Sequence, residues 1–397
     1  MFGLPKVVFP IYGIALLDVL GLTILIPMLP VLSAKYHTQP SVVGAALGTT
    51  ALAATISSPF WGYASDRYGR KFILLASQAC STIGYTMLAL TGNLELLFVS
   101  RAIEGLGGGN LGVAQSYIAD VTDEEDREKA FAFGAAAFGI GFVIGPVLAG
   151  LLLQIDTSLP FWVAAGLQVG NLALTWFFLP NTTSQPSEER AEGSSVRAIL
   201  TQLRKPPLSN LMARQFLYIF SFVYFFTIFS EYLQTVLQYG PTQSSLFLAV
   251  AGAIGAFVQI FLVDRLEKRL GAFVLSEAGL AVGFVAYALM FFMNGLAMFL
   301  TILVIWAASG SVLRPTLNKL ISTAAPPENR GAILGFGDSL SNASMIFAPA
   351  IGGIVLGIDP KLIGIPPACF IAAAFVLGLA GRRGTKPDYG QTTNDSR

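Results

Sequence analysis

Seven ionisable side chains of this 397-residue chain lie inside long apolar runs: Asp18, Arg101, Glu104, Glu231, Glu277, Arg314 and Asp338. A charge at the centre of a bilayer costs at least about 2.5–3.5 kcal/mol on insertion scales, so such groups must face a partner or a wet cavity. Buried carboxylates can take up and release protons, and arginines can hold them in place. Arg101 and Glu104 are three apart and share a helix face, so Glu104 reads as the resting counter-ion of Arg101. The exchanging proton then belongs to a less firmly paired acid. Glu231 is the first choice, because the run Phe225-Phe-Thr-Ile-Phe-Ser-Glu231-Tyr surrounds it with aromatics that strip away water; the alternative is a structural pair with Arg314. Asp18 is the second, in a run bent by Pro27 and Pro30, with a packing contact to a hydroxyl as its alternative. Asp338 follows Gly335 and Gly337 and reads either as a coupling acid or as a near-surface residue. Glu277 carries the weakest case and reads as scaffold.

Other chemistries lack their parts. The chain has one histidine, His37, in a polar stretch, and two cysteines, Cys80 and Cys369, each in an apolar run. These make no metal set, disulfide framework or nucleophile–base pair. No Gly-Lys-Ser/Thr phosphate loop is present, so ATP-driven pumping has no engine within the chain. The expectation is a protein that is not an enzyme and needs no cofactor or metal. A net charge of +1 without a basic stripe argues against nucleic acid as a partner.

The elements that position these residues are membrane helices. Apolar residues make up 54 % of the chain and charged residues 12 %, far too few charges to cover a soluble fold of this size. A span needs roughly 20 apolar residues. Runs of that order fall at about 7–32, 41–63, 71–91, 94–118, 130–153, 160–179, 211–238, 243–263, 271–292, 295–317, 331–356 and 363–381. The expected architecture is therefore all-α with twelve transmembrane helices: a six-helix bundle over 1–180, a polar linker over 181–210, a second bundle over 211–385 and a tail over 386–397. Twenty of the 24 basic residues fall in the N-terminus, the even-to-odd loops and the tail, which places both termini in the cytoplasm.

The halves repeat. Gly145-Pro146-Val-Leu-Ala-Gly150 recurs as Ala348-Pro349-Ala-Ile-Gly-Gly353, and Glu125-Asp-Arg127 as Glu328-Asn-Arg330, both at an offset of 203. Asp66-Arg67 recurs as Asp264-Arg265 at an offset of 198, which matches Gly62 with Ile260. Parallel halves around a midplane site are a common plan of secondary transporters.

Gly62-Tyr-Ala-Ser-Asp66-Arg67-Tyr-Gly69-Arg70-Lys71 resembles the loop signature of the major facilitator superfamily between spans 2 and 3. Arg101-Ala-Ile-Glu104-Gly105-Leu-Gly107 resembles the fourth-span motif of its proton-coupled members. Gly141-Phe-Val-Ile-Gly145-Pro146-Val-Leu-Ala-Gly150 resembles its fifth-span antiporter motif. Asp18, within Leu17-Asp18-Val-Leu-Gly21, is similarly placed to the first-span acid of tetracycline/proton antiporters and related multidrug exporters. The resemblance covers the whole chain. It implies a multi-pass protein of the cytoplasmic (inner) membrane that exports small molecules against protons by alternating access, with Arg101 linked to proton coupling. Exporters of sugars, lipids or metabolites, and uniporters or symporters, share the fold; a non-transporting sensor or scaffold is the remote alternative.

The resemblance also assigns roles. Gly62, Asp66, Arg67, Gly69, Arg70 and Lys71, with Asp120, would form a charge cluster closing the cytoplasmic side, with Asp66 paired to Arg70. Gly141, Gly145, Pro146 and Gly150 would form a packed, kinked hinge face. From the residues themselves, nine aromatics cover every face of span 7, so some are expected against lipid. Tyr224 and Phe229 among them, with Tyr117, Gln115, Gln234 and Arg314, are candidates for the cavity wall. Five in-run carboxylates against two arginines lean the substrate toward cationic or zwitterionic amphiphiles. The expected partners are the bilayer, a small molecule and protons, in a monomer.

Overall fold

A computed structural model of the chain describes residues 8–90, 92–108, 113–114, 117–118, 121–122, 124–180, 201–326 and 330–384. Gln115 and Asp120 lie outside the described residues, as do the side chains of Asp66 and Asp338 and the surroundings of Gly62. Helices of the first half are α1 (Phe9–Leu25), α2 (Leu29–Lys35), α3 (Pro40–Tyr68), α4 (Arg70–Leu90), α5 (Leu94–Leu106), α6 (Glu124–Leu152) and α7 (Leu159–Phe178). Those of the second are α8 (Leu208–Leu237), α9 (Pro241–Val258), α10 (Asp264–Leu270), α11 (Ala272–Leu289), α12 (Leu296–Ala324), α13 (Arg330–Ile358) and α14 (Ile365–Gly384). Among the described residues, ten helices are long and apolar enough to cross a membrane by length and composition. The runs read at 94–118 and 130–153 correspond to α5 and α6.

Local chemistry sets the helix ends. Proline opens α3 and α9, where its missing N–H would have no helical partner anyway. The Asn93 side chain caps α5 by accepting from Leu96 N at 2.8 Å. Pro27 and Pro30 break the first run into α1, a short 3-10 turn over Ile26–Met28, and α2. Pro146, Pro315 and Pro349 are instead carried inside continuous helices.

Two turns correct the register of the repeat. Gly69 ends α3 at φ 91° with its N–H on Ser65 O, and Gly271 ends α10 at φ 78° with its N–H on Glu267 O. Positive φ is open to glycine at little cost, so these are the equivalent positions, 202 residues apart. The offset of 198 drawn from Asp264-Arg265 is therefore wrong by one helical turn. Asp264 stands where the first half has Gly62, and Lys268 where it has Asp66. At the opposite helix end the offset is 201, from Pro40 to Pro241. The extra residue is taken up by a π-helical segment over Gln259–Val263, between α9 and α10.

Call the end with the Gly69 and Gly271 turns the linker end, and that with Pro40 and Pro241 the far end. Within the first half α1 packs on α6 and α7, and α4 on α5 and α7; within the second α8 packs on α13 and α14, and α11 on α12 and α14. The halves meet as α3 on α13 and α6 on α9. These contacts lie toward the far end, where glycines replace side chains: a Cβ at Gly44 would strike the Pro349 carbonyl, and one at Gly150 would lie 2.8 Å from Ser245 Cβ. Nearby, Ser230 Oγ of α8 donates to Pro27 O at 3.3 Å, and Phe142 of α6 meets Phe226 of α8 with centroids 5.6 Å apart.

Candidate functional site

The halves part toward the linker end. On α3, Thr55 and Ser58 continue the face that carries Gly44 and Gly48, and both are exposed. On α13, Ser339 and Asn342 continue the face of Ile346 in the same direction, and they too are exposed. Two helices sealed at one end thus diverge at the other, and short polar side chains line the separation. The sequence reading missed these four residues; their signal was a polar step on a face that is otherwise glycine and apolar.

In the first half α5 places Arg101 in the packed interior at 1 % exposure. Its guanidinium meets Glu104 Oε2 at 3.4 Å, donates to Gly84 O at 3.4 Å and lies over the Tyr85 ring, 5.0 Å from the centroid. Arg101, Glu104 and Tyr85 thus form one cluster joining α4 and α5, with Asp18 of α1 within electrostatic reach of Tyr85. Thr50 Oγ1 of α3 donates to the Arg101 carbonyl at 3.1 Å, tying the cluster to the helix that borders the opening.

Glu231 lies elsewhere, on α8 beside the Ser230–Pro27 contact that closes the far end. It has no ion-pair partner among the described residues, and its Oε2 is buried without a hydrogen bond. The alternative pairing with Arg314 is not formed. Arg314 lies by Tyr218, whose hydroxyl donates to Gly310 O one turn away at 3.0 Å. Tyr218 is thirteen residues from Glu231 on one helix, about 20 Å at 1.5 Å per residue. Arg314 is exposed in the linker-end part of α12.

Another cation was overlooked. Arg214, inside the run read at 211–238 but not among the in-run charges, is wholly buried in α8 and pairs with Glu277 of α11. Ser276 Oγ and the Phe273 ring complete its surroundings. Glu277 therefore serves a packed ion pair at the linker end of the second half. Such a pair adds little net stability, but removing one partner strands the other at about 3–5 kcal/mol.

The aromatics of α8 also depart from expectation. None of the nine is exposed, because α8 is enclosed by α12, α13 and α14 and, toward the far end, by α2. Phe222 stacks on Trp306 at 5.2 Å and 6°, and Phe225 meets the same indole edge-on at 5.4 Å. Trp306 Nε1 donates to Tyr287 Oη, which donates to Ser221 O, each at 3.0 Å. Tyr224 and Phe229 are thus core residues and not cavity wall. Tyr117 is also core, packed among Ile11, Ile73 and Ile118, and Gln234 is exposed in the last turn of α8. The cleft between Tyr218, Phe222, Trp306 and Gly310 has room for no more than about one water, far below the roughly 300 Å³ at which small-molecule sites begin.

The signature loop is built as a tie between helices. Arg70 is buried and donates to Ser65 Oγ across the Gly69 turn. Lys71 Nζ donates to Trp176 O at 2.8 Å, supplying a cation to the C-terminal turn of α7, where free carbonyls favour one. Arg67 is exposed and lies over the Tyr68 ring at 5.6 Å. In α6, Gly141 and Gly145 admit Val19 and Thr23 of α1, and Thr23 Oγ1 donates to Gly141 O at 3.1 Å. Gly150 faces α9 of the other half. The hinge motif therefore presents one surface to each half.

Comparisons with known proteins agree with this arrangement. The family model described as Major Facilitator Superfamily matches residues 11–349 and 261–389. The class C tetracycline resistance protein of Escherichia coli is 32 % identical over 355 residues, covering 86 % of this chain and 87 % of that protein. Multidrug resistance protein 1 of Bacillus subtilis is 25 % identical over 370 residues, covering 91 % of this chain and 91 % of that protein. The crystal structure of a bacterial homolog of the human lysosomal transporter Spinster, inward-facing and occupied, superposes with a TM-score of 0.78 at 15 % identity over 96 % of this chain and 97 % of that one. A point mutant of the nucleoside transporter NupG gives 0.79 at 12 % identity over 95 % of this chain and 100 % of that one. With helices enough to cross a bilayer many times and a polar opening between two repeated halves, the chain is a multi-pass membrane transporter and not an enzyme, and it belongs to the Major Facilitator Superfamily alongside tetracycline and multidrug resistance proteins.

Proposed function

We propose that this protein exports small amphiphilic compounds, cationic or zwitterionic, in exchange for protons by alternating access. It does so as a monomer in the cytoplasmic membrane, with twelve spans in two six-helix bundles over 1–180 and 211–385 and both termini in the cytoplasm. The observation that carries the reading is the contrast between its buried acids. Glu104 is tied to Arg101, whereas Glu231 keeps a buried oxygen without a partner at the seam that closes the far end. An acid without a fixed counter-ion can carry a proton, and its place at the seam couples that proton to opening and closing. Asp18 and Asp338 are the secondary acids. On this reading the linker end faces the cytoplasm, and Gly69, Arg70 and Lys71, with Asp66 and Asp120, close it in the alternate state. No cofactor is required; the proton gradient supplies the energy.

The test is substrate-induced proton release from acidified inside-out vesicles containing the protein, read with a pH-sensitive dye. The compounds would be tetracycline, lipophilic cations, neutral amphiphiles, sugars and organic anions. A compound that collapses the gradient with the native protein, but not with Glu231→Gln, supports the reading. Gradient-independent passage of a compound in the same vesicles would replace antiport by facilitation.

A further inference from the structure

Two polar stripes face each other inside the first half, away from the opening. On α4, Gln78, Ser81 and Tyr85 are spaced i, i+3, i+7; on α7, Gln168, Asn171 and Thr175 repeat that spacing. Residues so spaced share one helix face, and α4 and α7 pack against each other with α1 across α7. Gln78, Gln168, Asn171 and Thr175 are each at most 1 % exposed. One bond joins the stripes, Gln78 Nε2 to Asn171 Oδ1 at 3.4 Å. Five further atoms have no protein partner: Gln78 Oε1, both amide atoms of Gln168, Asn171 Nδ2 and Thr175 Oγ1.

The stripes begin at the charged cluster and run to the linker end. A Cβ at Gly21 of α1 would lie 2.7 Å from Gln168 Nε2 and 3.6 Å from Tyr85 Oη, so the glycine leaves a notch joining them. Asp18 of α1 and Arg101 and Glu104 of α5 are the charged groups acting on Tyr85. Thr175, seven residues or about 10 Å beyond Gln168 along α7, adjoins the surface turn where Lys71 Nζ meets Trp176 O. Buried polar atoms that lack protein partners are the setting in which proteins hold internal water, each molecule making about three hydrogen bonds.

We propose that the seam between α1, α4 and α7 holds a file of water, and that this file carries protons between the Asp18–Arg101–Glu104 cluster and the linker-end face, separately from the path taken by substrate. A carboxyl of the cluster gives its proton to the first water, each water passes one on to the next, and one proton leaves beside Lys71; no bond other than O–H is made or broken. The proposal rests on the antiport reading above and adds to it a proton route behind the substrate opening. At the repeat offset of 203 the α7 stripe corresponds to Ile371, Ala374 and Gly378 of α14, which carry no polar side chain.

Hydroxyl-radical footprinting of the reconstituted full-length protein tests the water directly. Radicals formed from bound water label adjacent side chains, so Tyr85 is expected to be modified at least about tenfold faster than the equally buried Tyr287. Tyr85 as silent as Tyr287 would overturn the proposal. The second arm uses Thr175→Val and Asn171→Leu, near-isosteric changes that remove the polar atoms, with Thr175→Ser as the conservative control. In vesicles, gradient-driven transport of whichever compound collapses the gradient should fall by about tenfold or more in both apolar variants, as loss of a proton-transfer group does. Substrate counterflow, which needs no net proton movement, should persist, and Thr175→Ser should restore coupling. Variants that keep full gradient-driven transport would overturn the route while leaving antiport intact. Gradient-independent transport by the native protein would instead overturn antiport, and the proton route with it, whatever the labelling of Tyr85.

Discussion

The same helix positions hold opposite chemistries in the two halves. Where α4 and α7 of the first half meet, the interior is Gln, Asn, Thr and Tyr beside an arginine cluster. Where α11 and α14 of the second meet α8, it is Ile371, Ala374 and a stack of Phe, Tyr and Trp around Trp306, with the Arg214–Glu277 pair set at the linker end. Backbone devices are shared nonetheless: a proline opening the second long helix, a glycine turn closing it, and a proline carried inside α6 and α13. The repeat has kept the shape of its elements and let their cores diverge. An aromatic core packs tightly and suits a bundle that moves as a body, whereas a polar core is tolerated where its groups serve something besides packing.

The two buried ion pairs offer the strongest test of that division. Arg214→Ala should cost about 3–5 kcal/mol by stranding Glu277, seen as a lower Tm in detergent, and Arg214→Leu with Glu277→Leu should recover most of it with transport intact. Arg101→Leu with Glu104→Leu should recover Tm in the same way but leave gradient-driven transport down about a hundredfold, within the range for lost acid–base groups. Recovery of transport in that second double variant would erase the distinction between the halves. Next in size, Glu231→Gln should lower gradient-driven efflux at least about tenfold while Tm and counterflow hold. If efflux is unchanged, the coupling acid lies in the first half, at Asp18. A smaller effect belongs to the aromatic core: Trp306→Phe removes the donor to Tyr287 Oη, which keeps its bond to Ser221 O, and leaves a gap in the stack, so it should cost about 1–3 kcal/mol, with coupling unchanged. Comparable in size, Gly69→Ala and Gly271→Ala should each cost about 1–3 kcal/mol, because their backbone angles fall where only glycine sits readily. Only the first should also slow transport, since only that turn carries the intact signature.

Much of this architecture was legible because hydropathy and glycine are loud signals. Apolar runs located the helices, and the loop and fifth-span motifs located the turn at Gly69 and a packed glycine face on α6, whose neighbour α1 only the structure identifies. The errors share a cause, which is that one-dimensional neighbours stand in poorly for spatial ones. Arg214 lies three residues into the run read at 211–238, so it passes as a helix-end cation, although helix α8 begins at Leu208 and buries it. Asp264-Arg265 looked like the repeat of Asp66-Arg67 because a dipeptide is more conspicuous than a glycine, yet the backbone conformation belongs to Gly271. The aromatics of α8 covered every face, which reads as lipid contact until the surrounding helices are known. The polar stripes were present in the sequence as two i, i+3, i+7 patterns, but neither is unusual alone. Their meaning comes from facing each other.

The π-helical segment at Gln259–Val263 has a bearing on how such a protein changes over evolutionary time. Adding one residue to a continuous α-helix turns everything beyond it by about 100° and moves it 1.5 Å, which would have aimed the Gly271 turn and the basic residues before it away from their neighbours. A wide turn absorbs the addition where it occurs and leaves the downstream surface in place. The segment thus takes up the one residue by which the second half exceeds the first, and deleting a single residue within 259–263 should give back a plain helix with the transporter still working.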